Sequence, residues 1–271
     1  MKKIILLLLA LAVCATAAAA FTGCNNEPSE EEKAYLEPAL LEIAVMSDLH
    51  YYSPALIGDY KYSSYQHKMR DAKTTEISRA VIATALDAVY GSGVKYLLVA
   101  GDLCDNHALD SHEELSELFG ALEAKGVSVF IVPGNHDISM EEGYYGYRFT
   151  ESGAVRAPDF FSVDDPIAEF KRIYNNYGYS EALSVKGLSY TANLGNHFRL
   201  IAIDNCSSAL TTETINWVKQ ELEKAKADGR KAIGMMHKPI DNIFGEFGKL
   251  AGLFTGGDFD GVTANADKLK K

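Results

Sequence analysis

Four short apolar runs, each ending on a carboxylate, amide or imidazole side chain, constrain this chain more than any other feature. Leu41–Ser47 runs into Asp48-Leu49-His50, Tyr96–Ala100 into Gly101-Asp102, Val127–Val132 into Pro133-Gly134-Asn135-His136-Asp137, and Ala232–Met236 into His237. Runs this brief are too short for helices and suit strands buried on both faces. Segments of helical period lie between them. Ile77, Val81, Ala85, Ala88 and Val89 recur at that spacing from Thr74 to Tyr90, before Gly91 and Gly93. Leu115, Leu118, Phe119 and Leu122 follow a capping box at Ser111-His112-Glu113-Glu114 and end at Gly126. Ile215, Val218, Leu222 and Ala225 mark another helix, Thr212–Ala227, closed by Gly229. Strand alternating with helix predicts an α/β fold, with the strand ends converging on one crevice.

The middle is less regular. Ile138–Gly187 is rich in tyrosine and reads as loop, with a helix expected over Pro166–Tyr177. Leu188–Ala192 and Phe198–Ile203 flank Asn193-Leu194-Gly195-Asn196, a hairpin signal followed by Asp204-Asn205.

Composition closes off whole classes. The chain has 271 residues, 47% of them hydrophobic and 23% charged, with four cysteines. That is neither a disordered tail nor a disulfide-stapled miniprotein. A net charge of −11 without any basic tract sets a phosphate backbone against net repulsion, so no nucleic-acid partner is expected.

The N-terminus stands apart from the fold. Lys2 and Lys3 precede a 17-residue apolar stretch, Ile4–Ala20, and then Phe21-Thr22-Gly23-Cys24. Charged start, apolar middle and small residues at the exit make residues 1–23 a signal peptide. A stretch of this length is also at the lower limit for spanning a bilayer, so an uncleaved anchor is the competing reading. Phe21–Cys24 resembles the lipobox of bacterial lipoproteins, which implies acylation of Cys24 and a membrane-anchored protein on the extracytoplasmic side of the cell envelope. Residues 24–38 then form an acidic, lipidated tether and residues 39–271 the folded domain. Losing Lys2 and Lys3 makes the mature chain more acidic still. Cys104 and Cys206 are expected as unpaired, buried thiols.

Asp48, His50, Asp102, Asn135, His136 and His237 together offer carboxylate, imidazole and amide donors. That set suits Mn, Fe or Zn, whereas a calcium site draws mainly on oxygen. A carboxylate such as Asp102 can bridge two ions about 3.5–4 Å apart and so clamp a phosphoryl transfer. In order, Asp48-x-His50, Gly101-Asp102-x-x-Asp105-Asn106, Gly134-Asn135-His136-Asp137 and His237 resemble the first four signature blocks of the calcineurin-like metallophosphoesterases, from Leu41 to about Pro239. The resemblance implies a four-layer αββα sandwich of two mixed β-sheets flanked by helices. It implies two divalent ions, with Asp48 and His50 on one, Asn135 and His237 on the other, and Asp102 bridging both. His136 would face the phosphate as general acid or charge stabiliser, its imidazole oriented by Asp105. The implied reaction is hydrolysis of phosphate mono- or diesters by a metal-bridged hydroxide, with no covalent enzyme intermediate. The partner would be a phosphorylated small molecule or a lipid headgroup.

Other polar residues have bland readings beside functional ones. Arg70 and Lys73 could neutralise a substrate phosphate or open a solvated helix. His67, His107, His112 and His197 fall outside the blocks and read as surface or capping residues, with His107, close to Asp105, also a weak site candidate, and Cys104 reads as packing. The tyrosines of Tyr51–Tyr65 and Tyr144–Tyr147 form either a substrate rim or ordinary half-buried surface.

The family closes its site with a Gly-His-x-His block, and no histidine follows His237 in this sequence. Two readings stand. A truncated chain would leave the domain incomplete at its C-terminus and each ion one ligand short. A genuine variant would fill those positions with water. Weak metal affinity and low activity are expected of a truncated chain, and a catalytically impaired surface lipoprotein that binds phosphorylated ligands or a protein partner is the alternative function.

Overall fold

The first three apolar runs are strands in the computed structural model: β1 (Ile43–Met46), β2 (Tyr96–Ala100) and β3 (Ser128–Val132). They lie parallel in the order β1-β2-β3, with Val45 beside Leu98 and Leu98 beside Phe130. The structure describes residues 40–58, 74–138, 145–180, 184–206 and 210–239. The leader, Cys24 and the acidic tether, His67, Arg70, Lys73 and everything from Ile240 onward lie outside the described residues.

Helices carry the chain between these strands. A short α1 (Pro54–Ile57) follows β1, capped by Ser53, whose hydroxyl accepts the Ala55 N–H. Next come a 3-10 turn, Thr75–Ile77, and α2 (Ser78–Gly91), which leads to β2; α3 (Leu109–Glu123) links β2 to β3. A two-stranded antiparallel hairpin, β4 (Tyr147–Thr150) and β5 (Gly153–Arg156), precedes α4 (Pro166–Ile173).

The second sheet is mixed. β6 (Ser184–Lys186), β7 (Ser189–Leu194) and β8 (Phe198–Ala202) run antiparallel, and β9 (Lys231–Met235), reached through α5 (Thr212–Ala227), lies parallel to β8. Leu194 pairs with Phe198 across the expected turn, where Gly195 takes φ 62°, a left-handed conformation that glycine adopts without strain.

Alternation along each strand sorts the layers. Ile43, Val45, Leu98 and Ala100 of the first sheet face Ile233 and Met235 of the second across an apolar cleft. One core cluster takes in residues of both sheets together with Leu86, Leu115 and Phe119 from α2 and α3. On the outer face of the second sheet, Ile201 and Ile203 pack with Ile215 and Val218 of α5 in a separate cluster. The order is therefore helix, sheet, sheet, helix. All described residues belong to one compact unit, Leu40–Lys271.

Several expectations are corrected. The buried stripe of α2 is Ser78, Ile82 and Leu86, while Ile77 and Val81 are exposed; the helix is apolar around most of its circumference, so the apolar spacing did not fix its phase. Ser111 lies inside α3 instead of capping it, and its hydroxyl accepts the Ser53 N–H at 3.0 Å. The expected helix from Pro166 stops at Ile173 and gives way to a π-type turn, Asn175–Tyr179, broken at Gly178 with φ 117°. His107 and His112 are fully buried instead of lying at the surface. His112 Nδ1 sits 2.8 Å from the Tyr174 hydroxyl, and burial drives its pKa down to about 3. Tyr51 and Tyr52 are core residues too, whereas Cys104 and Cys206 are free and buried as expected.

Candidate metal centre

The loops leaving β1 and β2 stay hydrogen-bonded beyond the strands. Asp48 N–H donates to Gly101 O, His50 N–H to Asp102 O and Tyr51 N–H to Leu103 O, at 3.0–3.1 Å. This extended ladder holds the two loops side by side while their backbone turns. Asp48, His50 and Asp102 take φ of 54°, 44° and 48°. Among the described residues they are the only non-glycine residues with positive φ. Such conformations each cost about 1–3 kcal/mol and cluster where geometry serves function.

Glycines let these loops approach one another. A Cβ on Gly134 would overlap the Asp102 carboxylate and backbone nitrogen. At Gly101, with φ 81°, a Cβ would strike the His237 ring. The Gly-Asn-His-Asp loop is pinned from below by Asp137, whose buried carboxylate accepts the N–H groups of Leu103, Cys104 and Gly134 at 2.7–3.1 Å. Burial first, and then the charge of Asp102, push the Asp137 pKa up to about 7 against those three donors.

Asp102 stands at the junction. His136 N–H donates to its Oδ1 at 3.0 Å. His237 Nε2 lies 3.3 Å from Oδ1, and His50 Nε2 lies 3.7 Å from Oδ2. Asn135 Oδ1 is 3.2 Å from His237 Nε2, while Asp48 Oδ1, more open to solvent, is 3.9 Å from His50 Nε2. Two donor groups share Asp102: Asp48, Asp102 and His237, and His50, Asp102 and His136, the atoms of each lying within 4.8 Å of one another. Asp105 reaches two imidazoles, its carboxylate 3.3 Å from His50 Nδ1 and its carbonyl 2.9 Å from His136 Nδ1. The His50 and His136 rings meet edge to face with centroids 4.8 Å apart.

Electrostatics mark the place of a cation. Burial opposes charge on Asp102, but hydrogen bonding to His237 and its charge prevail and hold the carboxyl down at about 2. Burial likewise opposes protonation of His237, and Asp102 overcomes it, raising the imidazole to about 9. The proton on His237 supplies the positive charge that this nest of acceptors calls for. Carboxylate, imidazole and amide donors around one shared carboxylate fit divalent ions of the Mn, Fe or Zn type.

The family model of the calcineurin-like phosphoesterases matches residues 41–262. The chain belongs to that family. It is therefore a metal-dependent phosphoric ester hydrolase. The fold is similar to the crystal structure of a dimetal phosphatase from Danio rerio, with a TM-score of 0.52 and 12% identity over 84% of this chain and 75% of that one. No curated protein matches it significantly in sequence.

Sequence reasoning passed over several residues that set this phosphoesterase site. Asn205, almost fully buried, accepts the N–H groups of His237 and Lys238 on Oδ1 and donates to the Lys238 carbonyl, so the second sheet holds the His237 loop in place. The carbonyl of Ala100 lies 2.9 Å from His237 Nδ1, which keeps one proton on Nδ1 and turns Nε2 to the cluster. Asp204-Asn205 at a strand end carried the same signal as the four blocks. Nothing in the sequence marks Asp137, at the end of its block, as the anchor of this loop.

Proposed function

We propose that this chain hydrolyses phosphate mono- or diesters at a two-ion site built on Asp48, His50, Asp102, Asn135 and His237. The supporting observation is Asp102, a buried carboxylate shared by two donor groups. Bound there, a pair of divalent ions supplies Lewis acidity to the phosphoryl oxygens and an activated water. The chain's own residues do the rest. Asp102 offers one oxygen to the His237 side and the other to the His50 side. His136 keeps its Nδ1 proton on the Asp105 carbonyl, so proton exchange with the leaving alkoxide falls to Nε2. Asp105 thereby positions both His136 and His50.

The expected place of work is the extracytoplasmic side of the cell envelope, through acylation of Cys24. The lipobox-like Phe21–Cys24 and the apolar stretch before it support this reading.

Turnover of p-nitrophenyl phosphate and bis(p-nitrophenyl) phosphate, with metal content measured on the same samples, tests the proposal. Activity is expected to need added Mn, Fe or Zn and to vanish with a chelator. Asp102→Ala is expected to lower kcat by at least about a thousandfold, beyond the loss of a single electrostatic donor. Full turnover in metal-replete Asp102→Ala would refute the bridging role.

A further inference from the structure

Between Asp48 and His50 and the start of α2 lies a recess of about 220 Å³. Leu49, Val81 and Ile82 line its apolar part, and Thr74, Thr75 and Ser78 line the rest. Val81, which lines it, is 55% exposed. Ser78 is committed, accepting the Tyr52 N–H at 3.0 Å and donating to the Tyr52 carbonyl at 3.3 Å.

The two threonines are not committed in that way. Thr74 occupies the cap position of the first helical turn, yet its side chain makes no capping hydrogen bond. Thr75 is 2% exposed, and its Oγ1 has no hydrogen-bond partner. Folded chains seldom keep a buried polar atom unsatisfied without a use for it.

We propose that this recess seats the alcohol end of the substrate, and that this alcohol is a polyol or a single sugar recognised by Thr74 and Thr75. The inference rests on the phosphoesterase reading, with the phosphoryl group at Asp48 and His50 and the leaving group beside them. A cavity of about 150 Å³ takes a benzene ring, so the recess has room for one ring or a short polyol. The apolar part matches the C–H face of such a group and the threonines its hydroxyls. Among the described lining residues only Asp48 and His50 are ionisable, and both belong to the phosphoryl end.

Glycerol 2-phosphate and isopropyl phosphate share a carbon skeleton and differ by two hydroxyls. The metal-loaded protein is expected to favour the first by about tenfold or more in kcat/KM. Thr75→Val is expected to cut that preference by about three- to tenfold, the value of one neutral hydrogen bond, and Thr75→Ser to keep it. The matching phosphonates, which cannot be hydrolysed, should lose affinity in the same ratio when titrated calorimetrically onto the same proteins. Equal turnover of both esters by the unaltered protein, or an equal loss on both in Thr75→Val, would overturn the recess alone. Failure to turn over any phosphate ester with metal present would remove the two-ion reading and the recess with it.

Discussion

Without metal, Asp102 favours the protonated form of His237. Its pKa rises from 6.5 to about 9, so its pairing with Asp102 contributes stability that is complete below pH 6.5 and is lost as pH climbs through 9. Asp102, lowered from 3.8 to about 2, contributes stability present above 3.8 and lost as pH falls through 2. The metal-free protein should therefore lose stability between about pH 6.5 and 9. Metal needs the Nε2 lone pair, so binding must expel that proton. Titrating Mn²⁺ at pH 7.5 in buffers of different ionisation enthalpy should show release of about one proton, and His237→Gln should abolish it. Unchanged release in His237→Gln would place the proton elsewhere.

At the scale of elements, Arg199 ties α5 to the second sheet through ion pairs. Arg199 Nη2 on β8 donates to Glu221 Oε2 at 2.5 Å and to Thr191 Oγ1 at 3.2 Å, and Lys224 reaches Glu221 Oε1 at 2.6 Å. Glu221 is 1% exposed, so Glu221→Gln leaves Arg199 poorly matched. Because Arg199 and Lys224 keep some solvent, the expected loss is about 2 kcal/mol. Thermal unfolding should move down by about 4–8 °C, and an unmoved midpoint would show that the apolar cluster alone seats the helix. The neighbouring elements show what the sequence could tell. Strands β1, β2, β3 and β9 were legible because their apolar runs are short and bounded by glycine, aspartate or histidine. The hairpin of β4 and β5 was not, since Tyr147–Thr150 and Gly153–Arg156 carry too little alternation to set them off from loop. Nor was the burial of His107 and His112, which depends on Phe160, Phe161, Phe170 and Tyr174 arriving from later in the chain.

For the whole molecule, charge and attachment belong together. The chain carries a net charge of −11, so attraction for phosphate must come chiefly from bound cations. If Cys24 carries the proposed acyl group, the acidic chain would stand off from an anionic membrane surface. Detergent phase partition of cells expressing the full chain should put the protein in the detergent phase, and Cys24→Ala in the membrane fraction only if the leader stays uncleaved. Loss of Cys24→Ala to the aqueous phase, together with loss of fatty-acid labelling, is the outcome expected of a lipoprotein. Labelling that survives the substitution would rule out acylation at Cys24.

The hydrogen bonds that continue from β1 and β2 into their loops have a further consequence. Neighbouring strands stand about 4.8 Å apart, and Asp48 and Asp102 sit on adjacent rungs of that continued ladder. The backbone, a ruler common to every sheet, thus spaces Asp48, His50 and Asp102, while the Asp137 and Asn205 side chains anchor the loops that bring Asn135, His136 and His237 to them. Loops elsewhere on the rim can lengthen or change sequence without altering the gauge of the site, which leaves the choice of substrate free to drift while the chemistry stays fixed.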